Sequence, residues 1–205
     1  MHQTRSKIIR VLPLARKGTK YVARASRNES SSVPLVIAIR DMLKLAKTSK
    51  EVKGMVHNKI LKINGKLVKT INDPIGIFSI IEADKKYLLT LLPTGRFVFE
   101  ETKENSRRLK IMGKRLVKKG LIQYSLQDGT SILSKQNFSR GDTLILDFEN
   151  KIVKHKTLEN GKEIFVFSGS NIGITGKIKE FSKNKVTIKF DKDEIIIDNS
   201  QVIVL

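Results

Sequence analysis

Residues 34–69 read PLVIAIRDMLKLAKTSKEVKGMVHNKILKINGKLVK, and the fold class turns on how this stretch divides. Leu35, Ile39, Met42, Leu43 and Ala46 recur at helical spacing, and Pro34, with its fixed φ, suits a first-turn position. Thr48-Ser49-Lys50-Glu51 has the form of a capping box, which starts a second short helix through Val52, Met55 and Val56. Asn64-Gly65 sits between two apolar runs, the signal of a hairpin closed by a type I′ turn. Two short helices followed by a small hairpin are therefore expected to form one compact unit. The same stretch is basic. Arg40, Lys44 and Lys47 fall at i, i+4 and i+7 of the first helix, a stripe roughly 115° around from the apolar one. One face is expected to pack while the neighbouring face meets an anion. Lys50 and Lys53 extend this region, and Lys62, Lys66 and Lys69 place further charge on the hairpin.

Residues 1–32 read as a basic arm. They carry Arg5, Lys7, Arg10, Arg16, Lys17, Lys20, Arg24 and Arg27 against Glu29 alone, and Arg27-Asn28-Glu29-Ser30-Ser31-Ser32 has linker composition. Arms of this kind are disordered when free and order along phosphates. Towards the C-terminus, residues 87–100 and 121–148 hold β-rich runs. These are broken by Pro93-Thr94-Gly95, Asp128-Gly129 and Arg140-Gly141-Asp142. Between the runs lies a fourth basic cluster of Arg107, Arg108, Lys110, Lys114, Arg115, Lys118 and Lys119, with Ile111, Leu116 and Val117 expected in the core. The last segment, from Glu163, reads as a small barrel-like β unit in which Gly169, Gly173 and Gly176 permit sharp turns and close backbone approach. The expected architecture is α+β and multidomain. It comprises a basic arm (1–32), a two-helix-plus-hairpin domain (33–85), a central β-rich domain (86–162) and a small β-barrel (163–205).

Charge narrows the function more than any single motif. The 205 residues hold 40 Lys and Arg against 20 Asp and Glu, a formal net charge of +20. Residues 1–120 alone hold 28 basic and 9 acidic side chains, whereas the remainder is nearly balanced. Charge carried only for solubility would be spread evenly; clustering points to a polyanion-binding surface. A membrane is the weakest candidate, because the longest apolar stretch, residues 33–39, is far short of the roughly 20 residues that a span requires. The absence of cysteine fits a reducing cytoplasm. Aromatic residues make up only 6% of the chain, so extensive stacking on single-stranded bases is not expected.

Catalytic and metal patterns fail one by one. His2, His57 and His155 are widely separated, with no second ligand at metal spacing. Gly113-Lys114 is followed by Arg115 where a phosphate-binding loop needs Ser or Thr. Asp128 and Asp142 adjoin glycines in predicted turns, where local backbone hydrogen bonds account for them. No enzyme activity, metal, cofactor or small-molecule substrate is implied.

With these residues in hand, a resemblance can be stated. Residues 34–43, Ala46, Glu51 and Ile63-Asn64-Gly65-Lys66 resemble an S-four-type RNA-binding domain. The likeness continues in order through Asp73-Pro74-Ile75-Gly76, Thr94-Gly95-Arg96-Phe97, Gln127-Asp128-Gly129-Thr130 and Gly141-Asp142-Thr143. It closes on residues 167–178, which look like a KOW motif. Taken together, the chain resembles the archaeal and eukaryotic small-subunit ribosomal protein family S-four-e. That resemblance implies a structural constituent of the cytoplasmic small ribosomal subunit, bound to 16S/18S-like rRNA and neighbouring small-subunit proteins, with the basic residues named above as rRNA contacts. Departures are visible. Glu29-Ser30-Ser31-Ser32 stands where the family has a Pro-Gly-Pro-His-like stretch, and Ile77-Phe78-Ser79 where it has Met-Asp-Val. The basic tail of eukaryotic members does not follow Leu205, which points to an archaeal-like source. The alternatives are an RNA-binding ribosome-assembly factor and a transcription-associated KOW protein. An RNA-modifying enzyme is disfavoured, because Gly95-Arg96-Phe97-Val98 lacks the carboxylate of the Gly-Arg-Leu-Asp segment found in pseudouridine synthases.

Overall fold

The computed structural model describes residues 2–27, 31–117, 120–182, 185–190 and 193–205. The chain divides into two compact units, Met1–Asn105 and Ser106–Leu205, and strands dominate both.

In the first unit, β1 (His2–Thr4) pairs antiparallel with β2 (Tyr21–Ala23). The N-terminal segment is thus folded, where a disordered arm was expected. The reason lies in its own residues. Arg5 turns inward and donates from Nε to the Thr19 carbonyl (2.8 Å), from Nη1 to the Ala15 carbonyl, and from Nη2 to Thr19 Oγ1 (3.2 Å). Leu12, Val22 and Ala25 are buried, and the Phe97 amide donates to the Val11 carbonyl (2.9 Å). The expected linker ends in β3 (Ser32–Pro34), which pairs with β6 (Pro74–Gly76); its Asn28, Glu29 and Ser30 lie outside the described residues.

Helix α1 is α-helical over Leu35–Ile37 and continues as a π-helix over Ala38–Met42. Leu35, Val36, Ile37, Ala38 and Ile39 are all at most 2% exposed, so these turns are enclosed on every side instead of presenting one apolar face, and only Arg40, Asp41 and Met42 at the end of the helix are half-exposed. The widened turns close through Leu43 N–H to the Ala38 carbonyl (2.8 Å) and Leu45 N–H to the Ile39 carbonyl (2.9 Å). Lys44, with φ at 56°, stops the helix in the left-handed region. The expected stripe of Arg40, Lys44 and Lys47 along one helix therefore does not exist, because only Arg40 is helical. Helix α2 (Ser49–His57) starts on the expected cap, with Glu51 N–H donating to Thr48 Oγ1 (3.2 Å).

β4 (Lys62–Ile63) and β5 (Lys66–Leu67) form the expected hairpin, with Asn64 and Gly65 at φ of 51° and 75° as a type I′ turn requires. β7 (Ile80–Glu82), β8 (Lys86–Leu91) and β9 (Phe97–Glu101) complete a sheet in the order β5-β4-β7-β8-β9. Residues 87–100, expected with the central region, thus hydrogen-bond across residue 85 into the hairpin's sheet. A tight reversal between β7 and β8, with Ala83 N–H on the Lys85 carbonyl (2.9 Å), makes that pairing local. Tyr87, Leu89 and Leu91 alternate inward as a half-buried strand requires.

In the second unit, β10 (Ser106–Leu116), β11 (Ile122–Leu126), β12 (Ser131–Ser134), β13 (Thr143–Asp147) and β14 (Ile152–Lys156) pair in the order β12-β11-β10-β13-β14. Their core includes Leu109, Ile111, Tyr124, Leu144 and Leu146. Ile111 is buried as expected. Leu116 and Val117 are 75% and 37% exposed, contrary to expectation, because the end of β10 from Lys114 onward has no covering layer among the described residues. A second sheet follows: β15 (Glu163–Val166), β16 (Thr175–Phe181), β17 (Lys185–Phe190), β18 (Asp193–Asp198) and β19 (Val202–Val204), ordered β18-β17-β16-β15-β19. Gly176 is the close approach anticipated from sequence: a Cβ there would stand 2.8 Å from the Lys189 carbonyl oxygen and overlap Ile188 Cγ2.

Candidate nucleic-acid interface

An open groove of about 1030 Å³ lies in the first unit between the β1/β2 ladder and the end of α1. Its basic lining comes from three places in the chain: Arg5 and Lys17 from the N-terminal segment, Arg40 from α1, and Lys44 and Lys47 from the turn that follows. Asp41 is the one carboxylate among the described lining residues. Local chemistry positions each cation. Arg40 donates to both Asp41 oxygens (2.9 and 2.7 Å) and to Ser49 Oγ (3.0 Å), so its charge is partly satisfied and its side chain is held in place. That pairing raises the Arg40 pKa above its ordinary value. Lys44 is aimed by its left-handed backbone. The Lys47 amide donates to Glu51 Oε2 (2.8 Å); this bond and that from Thr48 hold the Glu51 carboxyl below its ordinary pKa and fix the backbone that carries Lys47. Lys17, Lys44 and Lys47 are exposed. Cations converging on one groove can neutralise an anion's charge.

The other predicted cations fall into separate places. Lys50 and Lys53 are exposed on α2, and Lys62, Lys66 and Lys69 on and after the hairpin. Lys7, Arg10, Arg16, Lys20, Arg24 and Arg27 are exposed along the N-terminal segment. Arg10 and Arg16 line a second cleft of about 760 Å³ together with Arg96, which the sequence pointed to only within the family resemblance and not as a contact. Arg5, by contrast, is committed to internal hydrogen bonds and serves as a staple.

The cluster from Arg107 to Lys119 is the part the structure revises most. Arg107 is 5% exposed, paired with Asp128 Oδ2 and donating to Asn150 Oδ1 (2.5 Å). Lys110 is 2% exposed and donates to the Asn199 and Val202 carbonyls, the latter at 2.6 Å, and to Asn199 Oδ1 (3.1 Å). Burial, with the Arg140 charge as a lesser cause, pushes its pKa down to about 7. Both side chains are built into the second unit and cannot reach a phosphate. Arg108 is half-buried, and Lys114 donates to Asn137 Oδ1 and to the Phe138 carbonyl (3.1 Å). Arg115 is exposed; Lys118 and Lys119 lie outside the described residues. The two aspartates also do more than close turns. Asp128 accepts from Thr130 N–H (2.9 Å) as expected and adds the Arg107 pair. Asp142 accepts from Ser139 N–H (3.0 Å) and Leu158 N–H (3.2 Å) and pairs with His155 Nε2 (2.8 Å).

Two groove residues had no binding role in the sequence reading: His2, weighed only as a metal ligand, and Tyr21, passed over altogether. They are diagonal neighbours across the β1/β2 ladder, and no periodicity in a segment read as disordered could have announced that pairing.

Comparison with known proteins places these features in context. A family model described as "Ribosomal family S4e" matches residues 83–153. The small ribosomal subunit protein eS4 of Methanocella arvoryzae is 31% identical over 187 residues, covering 87% of this chain and 80% of that protein. Its counterpart in Archaeoglobus fulgidus is 27% identical and covers the whole of this chain and 93% of its own. The crystal structure of the 30S ribosomal protein S4e from Thermoplasma acidophilum superposes with a TM-score of 0.73 at 23% identity, covering 85% of this chain and 95% of the other, a similarity of fold.

Proposed function

The chain belongs to ribosomal family S4e, and on that premise we propose that it is a structural constituent of the small ribosomal subunit, bound to 16S/18S-like rRNA through the groove between β2 and the end of α1. The family is one of ribosomal structural proteins, not enzymes. The observation that carries the reading is convergence: Lys17, far in sequence from Lys44 and Lys47, lines the same groove. Lysines on a phosphate backbone release counterions, while the packed elements around them decide which stretches of RNA shape they reach. Lys50 and Lys53 on α2 and Lys62, Lys66 and Lys69 by the hairpin extend the surface, with Lys7, Arg10, Arg16, Lys20, Arg24, Arg27 and Arg115 as further contacts. Arg107 and Lys110 are left out because they are buried. Neighbouring small-subunit proteins are the other partners, and the cytoplasmic ribosome is the site of action; no helix among the described residues is long and apolar enough to cross a membrane.

The functional segments are residues 1–32 and 33–105 for rRNA contact, because residues 86–101 pair into the hairpin's sheet, then 106–162 as a central β region and 163–205 as a KOW-type unit of barrel kind. The five-stranded antiparallel sheet of the last segment and the close approach at Gly176 support that final assignment. The test is a Lys44→Gln/Lys47→Gln double variant titrated with small-subunit rRNA transcript across salt concentrations. Each lost phosphate contact removes about 0.7–0.9 from the slope of log affinity against log salt, so the slope should fall by roughly 1.5 with unchanged far-UV CD. An unaltered slope overturns the groove. Quantitative loss of the protein from small subunits in a high-salt wash would favour an assembly factor instead.

A further inference from the structure

Of the three tyrosines, Tyr87 is buried and hydrogen-bonded to Asp84 (3.0 Å), and Tyr124 is fully buried with its hydroxyl donating to the Gln136 carbonyl (2.9 Å). Tyr21 is different. It is 51% exposed, its hydroxyl has no hydrogen-bond partner among the described residues, and it lines the basic groove. A single exposed aromatic is ordinary on a protein surface; what marks this one is its setting in the basic groove. His2 meets the ring edge-on, with centroids 4.9 Å apart and planes at 72°, which fixes the ring from the neighbouring strand. Lys20 Nζ stands 5.4 Å from the ring centroid. Val22, the next residue, points the other way and is buried, so strand alternation locks Tyr21 to the open face.

From this geometry we infer that Tyr21, backed by His2, is a stacking platform for an unpaired nucleobase of the RNA whose phosphates lie on Lys17, Lys44 and Lys47. The inference rests on the groove being an RNA site and adds what kind of RNA it takes: a bulged or single-stranded nucleotide, not an uninterrupted helix. A π-face accepts any base, so the platform selects for an unpaired base without selecting its sequence, and Lys20 Nζ, which lies over the ring 5.4 Å from its centroid, moves from that face to the nucleotide's phosphate as the base stacks. The scarcity of aromatics in the chain does not argue against a single such contact.

The chain has no tryptophan, so Tyr21→Trp places one fluorophore on the platform with stacking capacity kept. Titration with a small-subunit rRNA transcript should quench its emission while affinity stays within about two-fold of the parent. Tyr21→Leu should weaken binding roughly ten-fold with the salt slope unchanged, because a stacked base contributes affinity without releasing counterions. The same variant should weaken binding of oligouridylate but not of a blunt RNA duplex of equal length. Absence of quenching, or Tyr21→Leu affinity within about two-fold of the parent, overturns the platform. If Tyr21→Leu instead flattens the salt slope, Tyr21 acts by holding Lys20 on phosphate and the platform is again refuted. The lysine double variant reports separately: a failure there removes the groove itself, whereas normal lysine behaviour with an inert Tyr21 removes only the platform.

Discussion

Arg107→Met separates a cation that holds the fold from one that binds RNA. The guanidinium is 5% exposed and its partner Asp128 16%, and Asn150 Oδ1 accepts a second bond at 2.5 Å. Methionine fills much of the volume but leaves the Asp128 carboxylate facing an apolar side chain. Breaking a buried pair by removing one partner costs about 3–5 kcal/mol. Asp128 keeps its bonds from Thr130, so the lower end of that range applies. In a unit of about 100 residues each kcal/mol moves the midpoint by roughly 4–8 °C, and a drop of at least about 12 °C follows. Near-UV CD reads the transition, because Tyr124 is fully buried in the core of the same unit. Adding Asp128→Asn should recover part of the loss, since the stranded charge disappears. Below the new midpoint, affinity for an rRNA transcript and its salt slope should equal those of the parent. A variant with an unchanged midpoint and weakened RNA binding would refute the reasoning and return Arg107 to the contact surface.

Two further outcomes follow from the second unit. Lys110 has its pKa lowered from 10.5 to about 7 by burial, so between those values the unfolded chain binds more protons than the folded one and stability rises with pH. Urea unfolding at pH 7 and pH 9 should show the parent gaining on Lys110→Met by up to about 1.4 kcal/mol per pH unit, and a flat difference would sink the assignment. Gly176→Ala should destabilise the unit by about 1–3 kcal/mol, because its Cβ would press on the Lys189 backbone, whereas Gly113→Ala, with its nearest contact at 3.6 Å, should be nearly neutral in thermal melts.

Much of this was legible in the sequence because the relevant physics is local. The Asn64-Gly65 turn and the Thr48 cap with Glu51 depend on residues within a few positions of one another, and each took the expected form, as did the β-rich run from Tyr87. The S-four-e resemblance was legible too, since its motifs run in order along the chain. The apolar run at 35–39 misled in one respect. Its periodicity was read as one buried face, yet packing encloses residues 35–39 on every side and the chain widens and stops at Lys44. The N-terminal segment misled in another, because eight cations suggested disorder while Arg5, Leu12 and Val22 fold it.

Sequence by itself therefore determined the charge clustering, the family and the local elements, because charge, motif order and turn chemistry are properties of neighbours along the chain. Only tertiary structure decided which cations stay exposed and which are buried. Arg107-Arg108-Leu109-Lys110 looks like one basic patch in sequence, but the fate of Lys110 is set by carbonyls at Asn199 and Val202, the latter 92 residues away. Lys17 joins Lys44 and Lys47 only because the first residues of the chain fold back as a ladder beside α1. A side chain's charge is written in the sequence, but whether it is desolvated, paired or left facing solvent depends on what the fold brings against it.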